Sequence, residues 1–175
     1  MSIILKGNAI TIPGEHLNAD TAMGWYLGMD AQPPEEIASK FMSGIDAEIA
    51  KTAQAGDILV CGRNFGYGKV HQAFFTAMQV LDIKCIVAES FSTQLVQSAM
   101  NGGTYLVECP GVLHKVKKGD VLEVDVETAT VANLTQNIEL IGKPWPPFVL
   151  DIMKSGGYMR HLAMKVAMNK QASIN

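Results

Sequence analysis

The chain has 175 residues, 48% hydrophobic and 18% charged, with 14 Lys+Arg against 17 Asp+Glu for a formal net charge of −3. A chain of this size hides roughly 70% of its extended surface on folding, so a hydrophobic core forms without disulfide or metal staples. The composition excludes a disordered or collagen-like polymer, and mild acidity without a block of like charges argues against a nucleic-acid partner.

No apolar run reaches the about 18 residues of a membrane span, and MSIILKGNAITIPGEH lacks the basic start and long apolar segment of a secretory signal. A cytoplasmic location without membrane contact is expected. Cys61, Cys85 and Cys109 are odd in number and far apart, each in or beside an apolar run. They read as buried reduced thiols at strand ends, not as a disulfide framework or a CxxC metal or redox site, and no metal site is expected in this chain.

No internal repeat or low-complexity segment is evident, and MDAQPPEE, residues 29–36, is the best candidate for a flexible insertion. Pro33-Pro34 biases Gln32 towards an extended conformation and starts a helix near Pro34. Ile37, Phe41, Ile45 and Ile49 then recur at spacings of four, interrupted by Gly44 and Asp46, which predicts short amphipathic helices over about 34–43 and 46–53. Residues 57–61 (DILVC) and 84–88 (KCIVA) have the continuous apolar pattern of strands buried on both faces. Between them, Phe74, Ala77, Met78 and Leu81 give 70–82 a helical apolar stripe, so the unit is strand, helix, parallel strand. A second helix, about 92–100, stops at Asn101-Gly102-Gly103, and Tyr105-Leu106-Val107 follows as a third strand.

Beyond Pro110 the segments shorten. Residues 121–126 and 129–133 read as β segments with a turn at Glu127-Thr128, and Pro144-Trp145-Pro146-Pro147 breaks the chain. Residues 148–154 and 158–168 read as terminal helices split by Gly156-Gly157. The expected architecture is mixed α/β, with a parallel three-stranded piece and an antiparallel β piece. Residues 1–168 form one domain and 169–175 (NKQASIN) a frayed tail.

The chemistry-bearing stretch is Gly62-Arg63-Asn64-Phe65-Gly66-Tyr67-Gly68-Lys69-Val70-His71. Glycines between a buried strand and a helix leave backbone N–H groups at the helix start free to hold a carboxylate or phosphate. The same glycines equally serve a turn that only eases strand-helix packing, and the spacing is neither a P-loop nor GxGxxG. Lys69 and His71 sit at or just inside the helix N-terminus, where the dipole disfavours cations; they are either incidental and solvated or held there to meet an anion. His16, His114 and His161 are scattered without ligand spacing and read as surface or satisfied core histidines.

Several motifs in order resemble the small subunit of the aconitase superfamily, the swivel domain of isopropylmalate isomerase (3-isopropylmalate dehydratase, leucine biosynthesis) and related homoaconitases. Asn18-Ala19-Asp20-Thr21 sits where the family has Asp-Thr-Asp, Tyr26-Leu27-Gly28-Met29 where it has its substrate-sorting loop, and Pro34–Ala38 resembles the helix after it. Residues 56–66 (GDILVCGRNFG) are close to the family's GDIIVxGxNFG, and 86–91 (IVAESF) match its VIAESF. Residues 122–125, Glu127-Thr128 and 152–157 resemble its C-terminal segments.

The resemblance implies an aconitase-type swivelling β/β/α domain, a partly parallel sheet flanked by helices with an added antiparallel β portion. It implies a hydro-lyase subunit active only with a large subunit, as heterodimer or heterotetramer, acting on a malate-like di- or tricarboxylate. A 4Fe-4S cluster is expected on that partner and no cofactor in this chain. By carry-over, Asn64, Gly66 and Gly68 shape a carboxylate cradle, Lys69 or His71 supplies base or charge, and Tyr26, Leu27, Gly28 and Met29 line the substituent pocket. The sequence departs from the family after NFGxG, where Ser-Ser-Arg-Glu supplies a serine base and an arginine clamp; here stand Lys69, Val70, His71 and Gln72. Val70 has no hydroxyl, and His71 can hold a carboxylate through one N–H or act as a base but cannot copy a guanidinium fork. Gly28 stands where isopropylmalate-type loops usually carry Arg, and Trp25, Leu27 and Met29 around it suit an apolar substituent. Two alternatives are a related hydratase for a methylated malate or homoaconitate-type acid, and a non-catalytic carboxylate-binding swivel module.

Overall fold

The nine-residue segment Ile4–Ile12 forms β1 and is the strand on which both halves of the sheet are built. The computed structural model describes residues 2–25 and 28–172. After β1 come α1 (Ala19–Ala22), a 3-10 turn (Met29–Ala31), α2 (Pro34–Ser39), α3 (Glu48–Thr52), β2 (Ile58–Cys61), α4 (Gln72–Val80) and β3 (Cys85–Ala88). Then follow α5 (Thr93–Gly102), β4 (Tyr105–Glu108), α6 (Val112–Lys115), β5 (Val121–Asp125), β6 (Thr130–Asn133), β7 (Ile138–Ile141), α7 (Pro147–Lys154) and α8 (Tyr158–Ala172).

The sheet order is β4-β3-β2-β1-β5-β6-β7. β1 runs parallel to β2 with Ile12 opposite Cys61, and antiparallel to β5 with Ile4 opposite Asp125. The parallel piece therefore has four strands, not the expected three, because β1 joins it; β7, α6 and the 3-10 turn were also not expected. The sheet curls until its two ends meet: the Lys143 N–H donates to the Glu108 carbonyl at 2.7 Å in an antiparallel bridge.

One face of β2, β3 and β4 (Leu59, Cys61, Ile86, Leu106) packs under α2, α4 and α5 with Phe41, Phe74, Phe75 and Leu95. The other face (Ile58, Val60, Val87, Val107) fills the curl against Leu122, Val124 and Val131 of the antiparallel half. Burial on both faces is why β2 and β3 read as unbroken apolar runs. α2, α3 and α4 are shorter than their apolar patterns: α4 starts at Gln72 because Gly66 and Gly68 hold positive φ and His71 is extended as its N-cap. Ser92 likewise caps α5, its hydroxyl accepting from the Leu95 N–H at 3.2 Å. Gly103 ends α5 with φ 69°; a Cβ there would lie 2.5 Å from the Gly156 carbonyl carbon, so the helix stop is also where α7 turns into α8. Residues 29–36 are not a loose insertion: Met29 is buried, and the 3-10 turn leads into α2 with Pro34 at its start. α8 continues through Ala172, past the expected domain end at 168.

Among the described residues no helix is long and apolar enough to cross a membrane. All three thiols are buried at strand ends. Burial pushes Cys85 up to about 12 and Cys109 up to about 11, and pushes Cys61 well above the ordinary thiol range. The thiolate is the reactive form, so iodoacetamide at mildly alkaline pH is expected to leave the native chain unmodified and to alkylate Cys61, Cys85 and Cys109 after denaturation. Mass spectrometry reads this, and labelling of native protein at the rate of a free thiol would contradict the packing.

Candidate active site

Past β2 the chain turns through residues 62–71 over the carboxyl ends of the parallel strands, the usual ligand edge of such sheets. Phe65, buried, pegs the turn: its N–H donates to the Ser90 carbonyl and its carbonyl accepts from the Ser92 N–H, both at 3.0 Å. Asn64 is left-handed at φ 52°, its N–H donating to Ser90 Oγ at 2.9 Å. Gly66 has φ 78°, and a Cβ there would stand 2.6 Å from Leu95 Cβ, so a side chain is excluded both by conformation and by α5.

The expected N–H cradle is largely spent inside the chain. The Gly66 and Tyr67 N–H groups both donate to the Leu17 carbonyl, at 2.8 and 3.2 Å. At the α4 N-terminus the His71 N–H donates to Asp20 Oδ1 at 2.9 Å and the Ala73 N–H to Asp30 Oδ1 at 2.7 Å. The helix dipole is thus met by the chain's own carboxylates. Asn18 fastens the turn from the other side: its Nδ2 donates to the Tyr67 and Lys69 carbonyls at 2.8 and 3.3 Å while its Oδ1 accepts from the Thr21 N–H at 3.0 Å to cap α1.

His71 is the best-fixed of the expected site side chains. Its Nδ1 lies 2.5 Å from Asp20 Oδ2, and its ring stacks on Trp25 with centroids 4.1 Å apart and planes 10° apart. The His71 and Asp20 side chains keep only 19% and 14% of their exposure. Lys69, two residues earlier, is exposed and, among the described residues, forms no ion pair or side-chain hydrogen bond. The chain has two arginines, Arg63 and Arg160. Arg63 donates through Nη2 to both oxygens of Glu15 at 2.7 and 2.8 Å, holding that carboxyl below its ordinary value, and Arg160 lies against Gly156 beside α7. Lys69 is therefore the cation of this turn that no carboxylate among the described residues holds.

Of the other expected residues, Asn64 turns its amide towards His16 Nδ1 at 2.9 Å. Gly28 is exposed with φ 91° and open space where a Cβ would project, whereas Met29 is buried in the helix-side core and so anchors the loop instead of lining a pocket. Tyr26 and Leu27 lie outside the described residues. Asp20 and Asp30, on either side of that loop, were assigned no role; the signal for Asp20 was its place in the Asn18–Thr21 match to the family's Asp-Thr-Asp stretch, and Asp30 carried none. Among the described residues no group of three or more His, Cys, Asp or Glu is arranged to hold a metal ion, and the thiols at Cys61, Cys85 and Cys109 sit apart at the ends of different strands, so these residues do not fit an iron–sulfur cluster.

No protein-family model matches the chain. It is 40% identical over 134 residues to the isopropylmalate/citramalate isomerase small subunit of Methanocaldococcus jannaschii, covering 77% of this chain and 80% of that protein. It is 33% identical over 147 residues to the 3-isopropylmalate dehydratase small subunit of Caldicellulosiruptor saccharolyticus, covering 84% and 85% respectively. The crystal structure of a 3-isopropylmalate dehydratase from M. jannaschii matches with a TM-score of 0.88 at 25% identity, over 97% of this chain and 99% of that one. The curled, half-parallel sheet and these relatives together make the chain the swivel-type small subunit of an aconitase-like hydro-lyase. The chain belongs to the 3-isopropylmalate dehydratase small-subunit family.

Proposed function

We propose that this chain closes the active site of a cytoplasmic, heteromeric hydro-lyase over isopropylmalate or a close malate-like acid, moving as one swivelling unit. The observation that carries the reading is the Asp20–His71–Trp25 arrangement beside a Lys69 that no carboxylate among the described residues pairs, at the positions where the resemblance implies a base and a carboxylate clamp. His71 takes the proton from the carbon next to a carboxylate, the C–H electron pair becomes the new C=C bond, and the C–O bond breaks to release hydroxide. Addition of water in the opposite sense completes an isomerisation. Lys69 supplies the charge that holds a substrate carboxylate. The large subunit is the partner on which we place the 4Fe-4S cluster, a Lewis acid towards the substrate hydroxyl when bound.

The open space at Gly28 favours, as a second reading, a sister substrate such as citramalate or another methylated malate over a strict isopropylmalate enzyme. The test is anaerobic co-expression with the large subunit, followed by dehydration assays over isopropylmalate, citramalate, dimethylmalate, homocitrate and citrate. Turnover of isopropylmalate is the expected result, and turnover of a methylated malate alone selects the second reading. A stable complex inert towards every acid would overturn both and leave a carboxylate-binding module.

A further inference from the structure

Asp20 uses both of its carboxylate oxygens on one residue. Oδ1 accepts from the His71 backbone N–H at 2.9 Å, and Oδ2 lies 2.5 Å from the His71 Nδ1. A carboxylate offers only acceptor sites, so the ring nitrogen facing it must carry the proton. Trp25, stacked at 4.1 Å, holds the ring plane, and Nε2 has no partner among the described residues. We infer that Asp20 is the positioning residue that fixes the tautomer of His71, placing the proton on Nδ1 and presenting a bare Nε2 lone pair as the proton acceptor. The inference deepens, and rests on, the reading of His71 as the base of this site.

The two-oxygen grip makes one substitution unusually informative. In Asp20→Asn the backbone N–H of His71 still requires an oxygen, so the amide oxygen stays there and the NH2 group is turned towards Nδ1. A ring nitrogen facing an NH2 donor must be unprotonated, and the proton moves to Nε2. The variant keeps both contacts and nearly the same shape, but reverses the ring and leaves no lone pair where the substrate proton is taken.

The test uses the full chain with 15N-labelled histidine, the His71 signals being assigned by their loss in His71→Gln, together with steady-state kinetics of the assembled enzyme. At the assay pH the wild-type ring should show a protonated Nδ1 and a bare Nε2, and Asp20→Asn the reverse. The variant's kcat should fall by about 100-fold or more, the scale of one proton-transfer group, while KM stays within about threefold. A wild-type ring with bare Nδ1, or with both nitrogens protonated, overturns the inference without any variant. So does wild-type kcat in Asp20→Asn once the tautomer has reversed. Wild-type kcat in His71→Gln instead overturns the reading of His71 as base, which separates the two failures.

Discussion

In the assembled enzyme, His71→Ala lowers kcat by about 10²–10⁴-fold, the range over which a single positioned acid–base group acts. The substitution removes the ring but not its surroundings: Asp20 keeps the backbone N–H of residue 71, and α4 keeps its second carboxylate through Asp30 and Ala73. The loss should therefore appear in kcat with little change in thermal midpoint, and added imidazole should recover part of the rate by occupying the vacated face of Trp25. Lys69→Ala should behave differently. In the proposed role, an exposed ammonium that no carboxylate among the described residues pairs would contribute mainly to binding, so KM should rise more than kcat falls. Equal kcat in His71→Ala and wild type would remove His71 from the chemistry.

The second large effect is on stability. Phe74→Ala should cost about 3–5 kcal/mol, the range for deleting a fully buried aromatic ring. Phe74 has 0% exposure and meets Phe41, Phe65 and Phe75 at centroid distances of 6.2, 6.0 and 5.2 Å. It touches the α4 core and the peg of the active-site turn at once, so the void would loosen the seat of Phe65. Urea unfolding followed by tryptophan fluorescence and circular dichroism reads the change in midpoint. A loss of that size is a large part of the about 5–15 kcal/mol that holds a typical domain together. A shift below about 0.5 kcal/mol, the scale of an ordinary surface substitution, would contradict the packing described.

What the sequence made legible followed the range of the interactions concerned. β2, β3, α4 and α5 announce themselves because a strand buried on both faces is a continuous apolar run and a helix over it keeps a stripe. The Gly66–His71 turn was visible because its glycines and charges are contiguous. β1 was missed because ILKGNAITI has no clean apolar period: its partners are fixed by register with distant strands, and Gly7 serves a close approach, since a Cβ there would stand 2.0 Å from the Gly56 carbonyl oxygen. β7 was missed because an edge strand with alternate residues exposed has little apolar signal. The N–H groups expected to be free for an anion are taken by Leu17, Asp20 and Asp30, acceptors far away along the chain. Asp20 is 51 residues from His71, and Asp30 43 residues from Ala73. Local pattern says which donors a helix start offers, but not which acceptor reaches them first.

The position of β1 carries a consequence for how the chain reaches this state. Made before either neighbour, β1 is the strand between the two halves, pairing with β2 on one side and on the other with β5, where Ile4 meets Asp125. Such distant pairing carries a large loop-closure entropy and places the slow step of folding late. Until Val121–Asp125 is available, the β5-facing edge of β1 stands bare, a template for strand addition from another nascent chain. A fragment ending before Val121 should therefore aggregate instead of folding to half a sheet, and production of the chain should depend more on temperature and synthesis rate than its finished core would suggest.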